Sequence, residues 1–213
     1  MPELIRVLLV DDHAVVRAGF KTLLENQGDI RVVAEAANGE AACRQFAQDP
    51  PDVVIMDLSL PGIGGLEAIR RIVARQAQAR ILVFSMHEDV VFVEQALQAG
   101  ARGYLGKSSA ASVLVEAVRQ IANGSIFLDP DIAQRLAYHK TKGADSPFDG
   151  LSTREFEIFC LLAEGLNANE IAQRLSLSCK TVANYATQIK NKLDVGTVAE
   201  LARLAIRHGI LTA

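Results

Sequence analysis

Acidic residues follow two short apolar segments of the chain, and their types and positions suit the binding of a cation. Asp11 and Asp12 come directly after the mainly apolar segment 5–10, and Asp57 follows the apolar segment 53–56. Ligands of parallel sheets bind at the carboxyl ends of the strands, so these carboxylates meet if both segments are strands. Carboxylates gathered in this way repel one another unless a cation joins them, and oxygen ligands suit a hard ion such as Mg²⁺.

Two further polar residues stand at the ends of apolar segments. Ser85 ends residues 81–85 and offers a hydroxyl, and Lys107 follows residues 103–106 and offers an ammonium. Three carboxylates, a hydroxyl and an ammonium at neighbouring strand ends are the groups needed to receive and hold a phosphoryl group. Asp57 taken alone would more simply cap the turn before Pro61. The polar residues at the other strand ends instead favour a nucleophilic role for it.

The elements that position these residues alternate between strand and helix up to about residue 127. The pattern predicts strands at about 5–10, 30–36, 53–56, 80–85 and 103–106, and helices at about 13–27, 39–49, 64–75, 90–99 and 110–123. Such alternation is typical of an α/β fold with right-handed crossovers. We predict a flavodoxin-like, doubly wound parallel sheet of five strands in the order 2-1-3-4-5, which places strands one and three side by side.

No strand pattern follows the polar segment 140–147, which is typical of a linker. Asp129 and Pro130 predict the start of a short helix before it, ending at about His139. After the linker, four helices are predicted, and the two short ones at about 169–175 and 179–193 form a helix-turn-helix. We therefore predict an α/β domain over 1–127, a linker with a short helix over 128–147, and a small all-α domain over 148–213.

The second helix of this helix-turn-helix is a candidate for DNA recognition. Val182, Ile189 and Leu193 share one apolar face, and the remaining positions are mostly polar. A recognition helix presents its early residues to base edges, where Asn reads adenine and Lys reads guanine or holds phosphate. The alternative is an amphipathic helix with a solvated polar face. The candidate DNA contacts are Lys180, Thr181, Asn184, Tyr185, Thr187, Gln188, Lys190 and Lys192.

Composition limits the class of protein. The chain has 213 residues, half of them apolar, and a formal net charge of −3. From residue 151 onward seven basic residues stand against six acidic ones, so DNA contacts must come from a few positioned cations. The three cysteines lack a metal-ligand spacing, and no leader or membrane-length apolar segment is evident. We expect a cytoplasmic protein that does not bind membranes.

On these residues the sequence resembles two-component response regulators of the NarL/FixJ family, with a receiver domain followed by a LuxR-type helix-turn-helix domain. The resemblance rests on Val10-Asp11-Asp12-His13, Met56-Asp57, Pro61-Gly62, Phe84-Ser85-Met86-His87 and Gly103-Tyr104 with Lys107. The segments 146–149 and 207–209 are most similar to the GacA/UvrY branch.

The resemblance implies that Asp57 accepts a phosphoryl group from a sensor histidine kinase. Asp11, Asp12, Asp57 and the backbone carbonyl of Ser59 would hold Mg²⁺. Lys107 would pair with the acceptor or its phosphate. Ser85 would move to bond the phosphate, and Tyr104 would then turn inward. His87, which also flanks the site, is expected to be a surface residue.

The resemblance also implies double-stranded DNA as a partner and a homodimer that forms on phosphorylation. Apolar residues of the last helix are candidates for the dimer surface and are equally well explained as core; they are Val198, Leu201, Ala202 and Ala205. We further expect docked domains to hide the recognition helix until phosphorylation.

Two rival interpretations compete with this one. The first is a transcription regulator that needs no phosphate. The second is an aspartate-nucleophile phosphohydrolase, but such enzymes typically carry an acid-base Asp two residues after the nucleophile, where this chain has Ser59. We therefore predict a protein that is not an enzyme.

Overall fold

The computed structural model of the protein describes residues 4–141 and 146–211. Its first part alternates strands and helices as predicted, with boundaries that agree within two residues. The strands are β1 (Ile5–Val10), β2 (Ile30–Ala36), β3 (Val53–Met56), β4 (Ile81–Ser85), β5 (Gly103–Gly106) and β6 (Phe127–Leu128). The helices between them are α1 (Ala14–Glu25), α2 (Gly39–Gln48), α3 (Gly65–Arg75), α4 (Val90–Ala99) and α5 (Ala111–Ala122).

The strands form one parallel sheet in the order β2-β1-β3-β4-β5-β6. The α/β class and the order of the first five strands are confirmed. The predicted count of five strands is wrong by one, because β6 pairs in parallel with β5 through Gly103↔Phe127 and Tyr104↔Leu128. This strand has only two residues, which is too short to produce an alternation in the sequence.

Helices cover both faces of the sheet, so alternate residues of each strand enter different cores. Leu8 and Val10 of β1 belong to one cluster of buried side chains, and Val7 and Leu9 belong to the other. All four are at most 1% exposed. This burial on both faces explains why β1, β3 and β4 are mainly apolar in the sequence. It leaves their carboxyl ends as the place where polar side chains gather.

The second part of the chain is helical. It comprises α6 (Pro130–Thr141), α7 (Thr153–Ala163), α8 (Ala168–Arg174), α9 (Cys179–Lys192) and α10 (Val198–Arg207). The predicted capping box of α7 is present, with Ser152 accepting a bond from the amide of Glu155 and the Glu155 carboxylate accepting one from the amide of Ser152. Part of the predicted linker, residues 142–145, lies outside the described residues. No helix in the described ranges is long and apolar enough to cross a membrane.

The helical part is docked on the α/β part. Helix α6 lies against α4, and α7 lies against α3. The aromatic rings of Phe92 in α4 and Phe156 in α7 meet edge to face, with centroids 5.3 Å apart. Both side chains are at most 6% exposed, so apolar burial contributes to the contact between the two parts.

Candidate functional site

The adjacency of β1 and β3 brings two acidic residues to one edge of the sheet. Val10 pairs with Met56, and the amide of Asp57 donates to the carbonyl of Val10 at 3.0 Å. Asp11 and Asp57 follow these paired residues and are only 3% and 4% exposed. The sequence prediction that their carboxylates lie together is thus confirmed by the strand register.

Lys107 joins the two carboxylates. Its ammonium lies 2.6 Å from Asp11 Oδ2 and 2.7 Å from Asp57 Oδ2. Burial disfavours the charged form of Lys107, but the hydrogen bonds to Asp11 and Asp57 outweigh it, so the pKa of the ammonium is raised. Lys107 therefore carries a positive charge at neutral pH beside Oδ2 of Asp57.

A group of possible metal ligands stands at the end of β1. One ligand atom each from Asp11, Asp12 and His13 lie within 4.8 Å of one another. The carboxylate oxygens of Asp11 and Asp12 are suited to a hard divalent cation, whereas the imidazole nitrogen suits softer transition metals better. His13 is an addition to the predicted ligands, and its position next to the acidic pair in the sequence is the signal that could have indicated it. Asp57 belongs to the same sheet edge, and Ser59 lies two residues beyond it.

The Asp57 carboxylate is held in a fixed orientation. Its Oδ1 accepts a bond from the amide of Leu58 at 2.7 Å, which leaves Oδ2 facing Lys107. Helix α3 begins very close to this loop, because a Cβ atom on Gly65 would lie 2.1 Å from the carbonyl oxygen of Asp57. Only a glycine allows so close an approach, and sequence analysis did not identify Gly65 as part of the site.

The two predicted switch residues are both buried. Ser85 and Tyr104 have no exposed surface. The Ser85 hydroxyl accepts a bond from the amide of His87 at 3.3 Å, and the Tyr104 hydroxyl donates to the carbonyl of His87. Burial raises the pKa of the Tyr104 hydroxyl. Tyr104 is thus turned inward in this structure, and control of its position by phosphorylation stays a prediction.

Helix α9 presents a polar face to solvent in the second part of the chain. Val182 and Ile189 are fully buried, as predicted. Most of the predicted DNA contacts are exposed, namely Lys180, Asn184, Thr187, Gln188 and Lys192; Thr181, Tyr185 and Lys190 are half-buried. The Lys192 ammonium lies 2.6 Å from Glu155, so Lys192 also ties α9 to α7.

Comparison with known families matches both parts of the chain. Residues 7–119 match the response regulator receiver domain, and residues 149–205 match the bacterial regulatory proteins of the luxR family. The chain belongs to the NarL/FixJ family of two-component response regulators. Its pairing of receiver and LuxR-type domains is that of a transcription regulator.

Relatives match this response regulator over almost its whole length. The response regulator UvrY of Escherichia coli K12 is 42% identical over 212 residues, covering 99% of this chain and 97% of UvrY. The response regulator GacA of Pseudomonas aeruginosa is 40% identical over 212 residues, covering 99% of both chains. The predicted resemblance to the GacA/UvrY branch is confirmed.

Among solved structures, RcsB of Salmonella enterica bound to the promoter rprA with the phosphomimetic BeF₃⁻ is similar in fold. It has 26% sequence identity and a TM-score of 0.69, covering 95% of this chain and 98% of that one. A second structure contains two RcsB dimers bound to two parallel DNAs, with 26% identity, a TM-score of 0.61 and the same coverage.

The structure separates the two explanations left open for the apolar residues of α10. Leu201 and Ala205 have no exposed surface and belong to the core that α10 forms with α7. Val198 remains 44% exposed, and Ala202 is partly exposed. The apolar pattern of the sequence does not distinguish these two sides of the helix, because both carry apolar side chains.

The docked domains leave the recognition helix of the regulator accessible. Asn184 and Thr187 are exposed although the receiver is in contact with the DNA-binding domain. The prediction that docking hides α9 is therefore wrong for the side chains that would read DNA. The receiver instead holds α7 and the end of α8, where the amide of Gly62 donates to the carbonyl of Arg174 at 2.9 Å.

His87 is not the simple surface residue that the sequence suggested. Its ring is half-buried in the cleft between the domains and stacks on Phe92, with centroids 4.3 Å apart. Its Nε2 lies 3.0 Å from Ser59 Oγ. Burial lowers the pKa of His87, and the nearby charge of Asp57 only partly opposes this, so the neutral imidazole is favoured at neutral pH.

Proposed function

We propose that this regulator accepts a phosphoryl group on Asp57 from a sensor histidine kinase and thereby controls its binding to double-stranded DNA. The observation that carries the proposal is the contact of one ammonium, Lys107, with both Asp11 and Asp57 at 2.6 and 2.7 Å. The ammonium places a positive charge beside Oδ2 of the Asp57 carboxylate. Such a charge stabilises the oxygens of a phosphoryl group as it arrives.

The transfer step follows from the positions of these side chains. An oxygen of the Asp57 carboxylate attacks phosphorus, the new O–P bond forms, and the P–N bond to the donor histidine breaks. Lys107 stays within reach of the phosphoryl oxygens, and the Ser85 hydroxyl gives up its bond to the His87 amide to donate to them. The amide of Leu58 keeps the carboxylate oriented during the attack.

The acidic residues at the strand ends fit a divalent cation, which we propose to be Mg²⁺. Asp11, Asp12, Asp57 and the carbonyl of Ser59 would hold it. When bound, the ion offsets the negative charge that collects on the transferred oxygens. Asp11 also anchors Lys107, so it contributes to the site in two ways.

On the DNA side, the exposed polar face of α9 is proposed to enter the major groove, with Asn184 at a base edge and Lys180 and Lys190 at bases or phosphates. We propose that phosphorylation favours a homodimer, with Val198 and Ala202 as the exposed remainder of the predicted α10 surface. Because the polar face of α9 is exposed in the docked chain, we propose that phosphorylation controls DNA binding through the homodimer, with separation of the domains accompanying its formation. A regulator that binds DNA is expected to be cytoplasmic in a bacterium.

We propose the domain boundaries of the sequence analysis for this arrangement: a receiver over 1–127, a linker with a short helix over 128–147, and the DNA-binding domain over 148–213. Ser59 stands where a phosphohydrolase would carry an acid-base Asp, which supports a role as a regulator and not as an enzyme. Sustained hydrolysis of small phosphate esters would contradict this assignment.

The direct test of the phosphoacceptor is labelling by a small phosphodonor in the presence of Mg²⁺. Asp57→Asn should abolish the acid-labile label, because an amide oxygen is not a competent nucleophile. Asp52→Asn is the matched control, because this acidic residue precedes the same strand at its other end. Comparable labelling of wild type and Asp57→Asn would remove Asp57 from the site.

A further inference from the structure

Three parts of the receiver meet at His87. Its amide donates to the Ser85 hydroxyl at 3.3 Å, and its carbonyl accepts a bond from the Tyr104 hydroxyl. Its ring nitrogen Nε2 lies 3.0 Å from the hydroxyl of Ser59, which is two residues from Asp57. His87 therefore contacts both proposed switch residues through its backbone and the loop of the phosphoacceptor through its side chain.

The ring of His87 begins a chain of aromatic contacts that crosses the domain boundary. It stacks on Phe92 with an interplanar angle of 19° and a centroid separation of 4.3 Å. Phe92 meets Phe156 of the DNA-binding domain at 5.3 Å, and Phe156 meets Phe148 at 5.8 Å. Phe148 in turn meets His208, directly after α10, at 5.3 Å. A displacement of His87 would therefore remove support from the contact between the domains.

The loop that follows Asp57 makes a second contact with the DNA-binding domain. The amide of Gly62 donates to the carbonyl of Arg174 at 2.9 Å, and the Arg154 guanidinium lies 3.4 Å from the carbonyl of Gly62. One end of this loop is thus bonded to His87 through Ser59, and the other end is bonded to α7 and α8. A change at Asp57 acts on both ends.

We propose that His87 is a positioning residue that couples the state of Asp57 to the contact between the two domains, an inference that rests on the proposed function. A phosphoryl group on Asp57 offers new acceptors beside Ser59 and Ser85. Both hydroxyls then turn toward the phosphoryl oxygens and release His87. Without these bonds its ring leaves Phe92, and the contacts of Phe156 and Gly62 across the boundary weaken.

Hydrogen exchange at the amide of Gly62 measures this coupling in the full chain, because that amide is bonded across the domain boundary. Beryllofluoride with Mg²⁺ serves as a stable phosphoryl mimic, and fluorine NMR reports its binding. In wild type the mimic should raise the exchange rate by about twofold to tenfold, as expected for the loss of one neutral hydrogen bond.

Two variants separate coupling from a merely structural role. His87→Phe keeps an aromatic ring on Phe92 but removes the bond to Ser59. If that bond couples the two sites, Gly62 should exchange faster than in wild type without the mimic and should respond less to its addition. A ring that serves only as packing predicts the wild-type response. His87→Ala removes both contacts, so the exchange rate should already be high without the mimic and change little on its addition. Met86→Ala is the matched control, because this neighbouring side chain is 73% exposed, and it should respond as wild type does.

The outcomes distinguish this inference from the proposed function. If His87→Phe binds the mimic and responds at Gly62 as strongly as wild type, His87 does not couple the two sites. Bound mimic in wild type without any change at Gly62 would also overturn the coupling. Failure of wild type to bind the mimic at all would instead contradict the proposed role of Asp57.

Discussion

The sharpest structural prediction concerns Gly65, the first residue of α3. A Cβ atom at this position would lie 2.1 Å from the carbonyl oxygen of Asp57 and 2.7 Å from the Cα atom of Leu58. Both neighbours are backbone atoms, which cannot swing aside as a flexible side chain can. Because ordinary contact begins at 3.4 Å and the carbonyl oxygen lies at 2.1 Å, the helix and the loop after Asp57 must move apart by about 1.3 Å.

Gly65→Ala should therefore reduce both stability and reactivity. Forcing a methyl group into a closely packed site costs about 1–3 kcal/mol of the free energy of unfolding. A displacement on the order of 1 Å in a reacting group lowers the rate about 100-fold, so phosphorylation by a small donor should slow by about this factor. The receiver should still fold despite this cost in stability. The slower phosphorylation should therefore be the main effect of the substitution.

Gly19→Ala supplies the matched control, because Gly19 is exposed inside α1 and a Cβ atom there would meet nothing within 4 Å. This change should stabilise the protein by about 0.5–1 kcal/mol, since glycine is unfavourable in the interior of a helix. Urea unfolding and the rate of phosphoryl uptake measure both effects. If Gly65→Ala proves as stable and as reactive as Gly19→Ala, a close approach of α3 to the backbone of Asp57 is contradicted.

Three further predictions follow from single contacts. Asp12→Ala should weaken Mg²⁺ binding and slow phosphorylation, because one hard oxygen ligand is lost. An unchanged Mg²⁺ titration would contradict the proposal that Asp12 binds the ion. Although burial opposes it, the bonds to Arg70 and Arg71 lower the pKa of Glu67 from 4.5 to about 2. Its contribution to stability is therefore full above pH 4.5 and is lost as the pH falls toward 2. Glu67→Gln should lower the free energy of unfolding by about 1–2 kcal/mol at pH 7, after allowance for solvent screening. Urea unfolding at pH 7 and pH 3 should show a smaller loss at pH 3. An equal loss at both pH values would mean that the charge of Glu67 does not stabilise the fold. Asn184→Ala should reduce discrimination among DNA sites by about 1–3 kcal/mol. Lys190→Ala should weaken the binding of all duplexes alike and reduce the salt dependence of binding. If Asn184→Ala weakens binding to specific and random DNA equally, Asn184 is a phosphate contact or a surface residue.

Much of the fold could be predicted because local signals agree with the tertiary arrangement. Strands β3 and β4 are buried on both faces, so their sequences are continuous apolar runs with a polar residue at the carboxyl end. The capping box at Ser152 and Glu155 marks the start of α7 without any tertiary information. The strand β6 escaped prediction because two residues carry no periodicity, and its partner β5 is distant in the sequence.

The sequence predicted the main residues of the candidate site but not the contacts between its loops. Asp11, Asp57 and Lys107 stand at strand ends, so the fold alone brings them together. The contact of His87 with Ser59 and the approach of Gly65 to Asp57 depend on loop conformations, which no periodic pattern encodes. The sides of α10 could not be separated either, because Leu201 packs inward and Val198 faces out while both are apolar.

We propose that one phosphoryl group on Asp57 controls DNA binding by this regulator. The most direct measurement is capture of fragmented genomic DNA by the full chain, with and without a small phosphodonor and Mg²⁺, for wild type and Asp57→Asn. Wild type should enrich a defined set of sites when the donor is present; a tenfold gain in affinity requires only about 1.4 kcal/mol of coupling. Asp57→Asn should show no gain from the donor. An equal gain by the variant, or the same sites at the same occupancy without the donor, would contradict the claim.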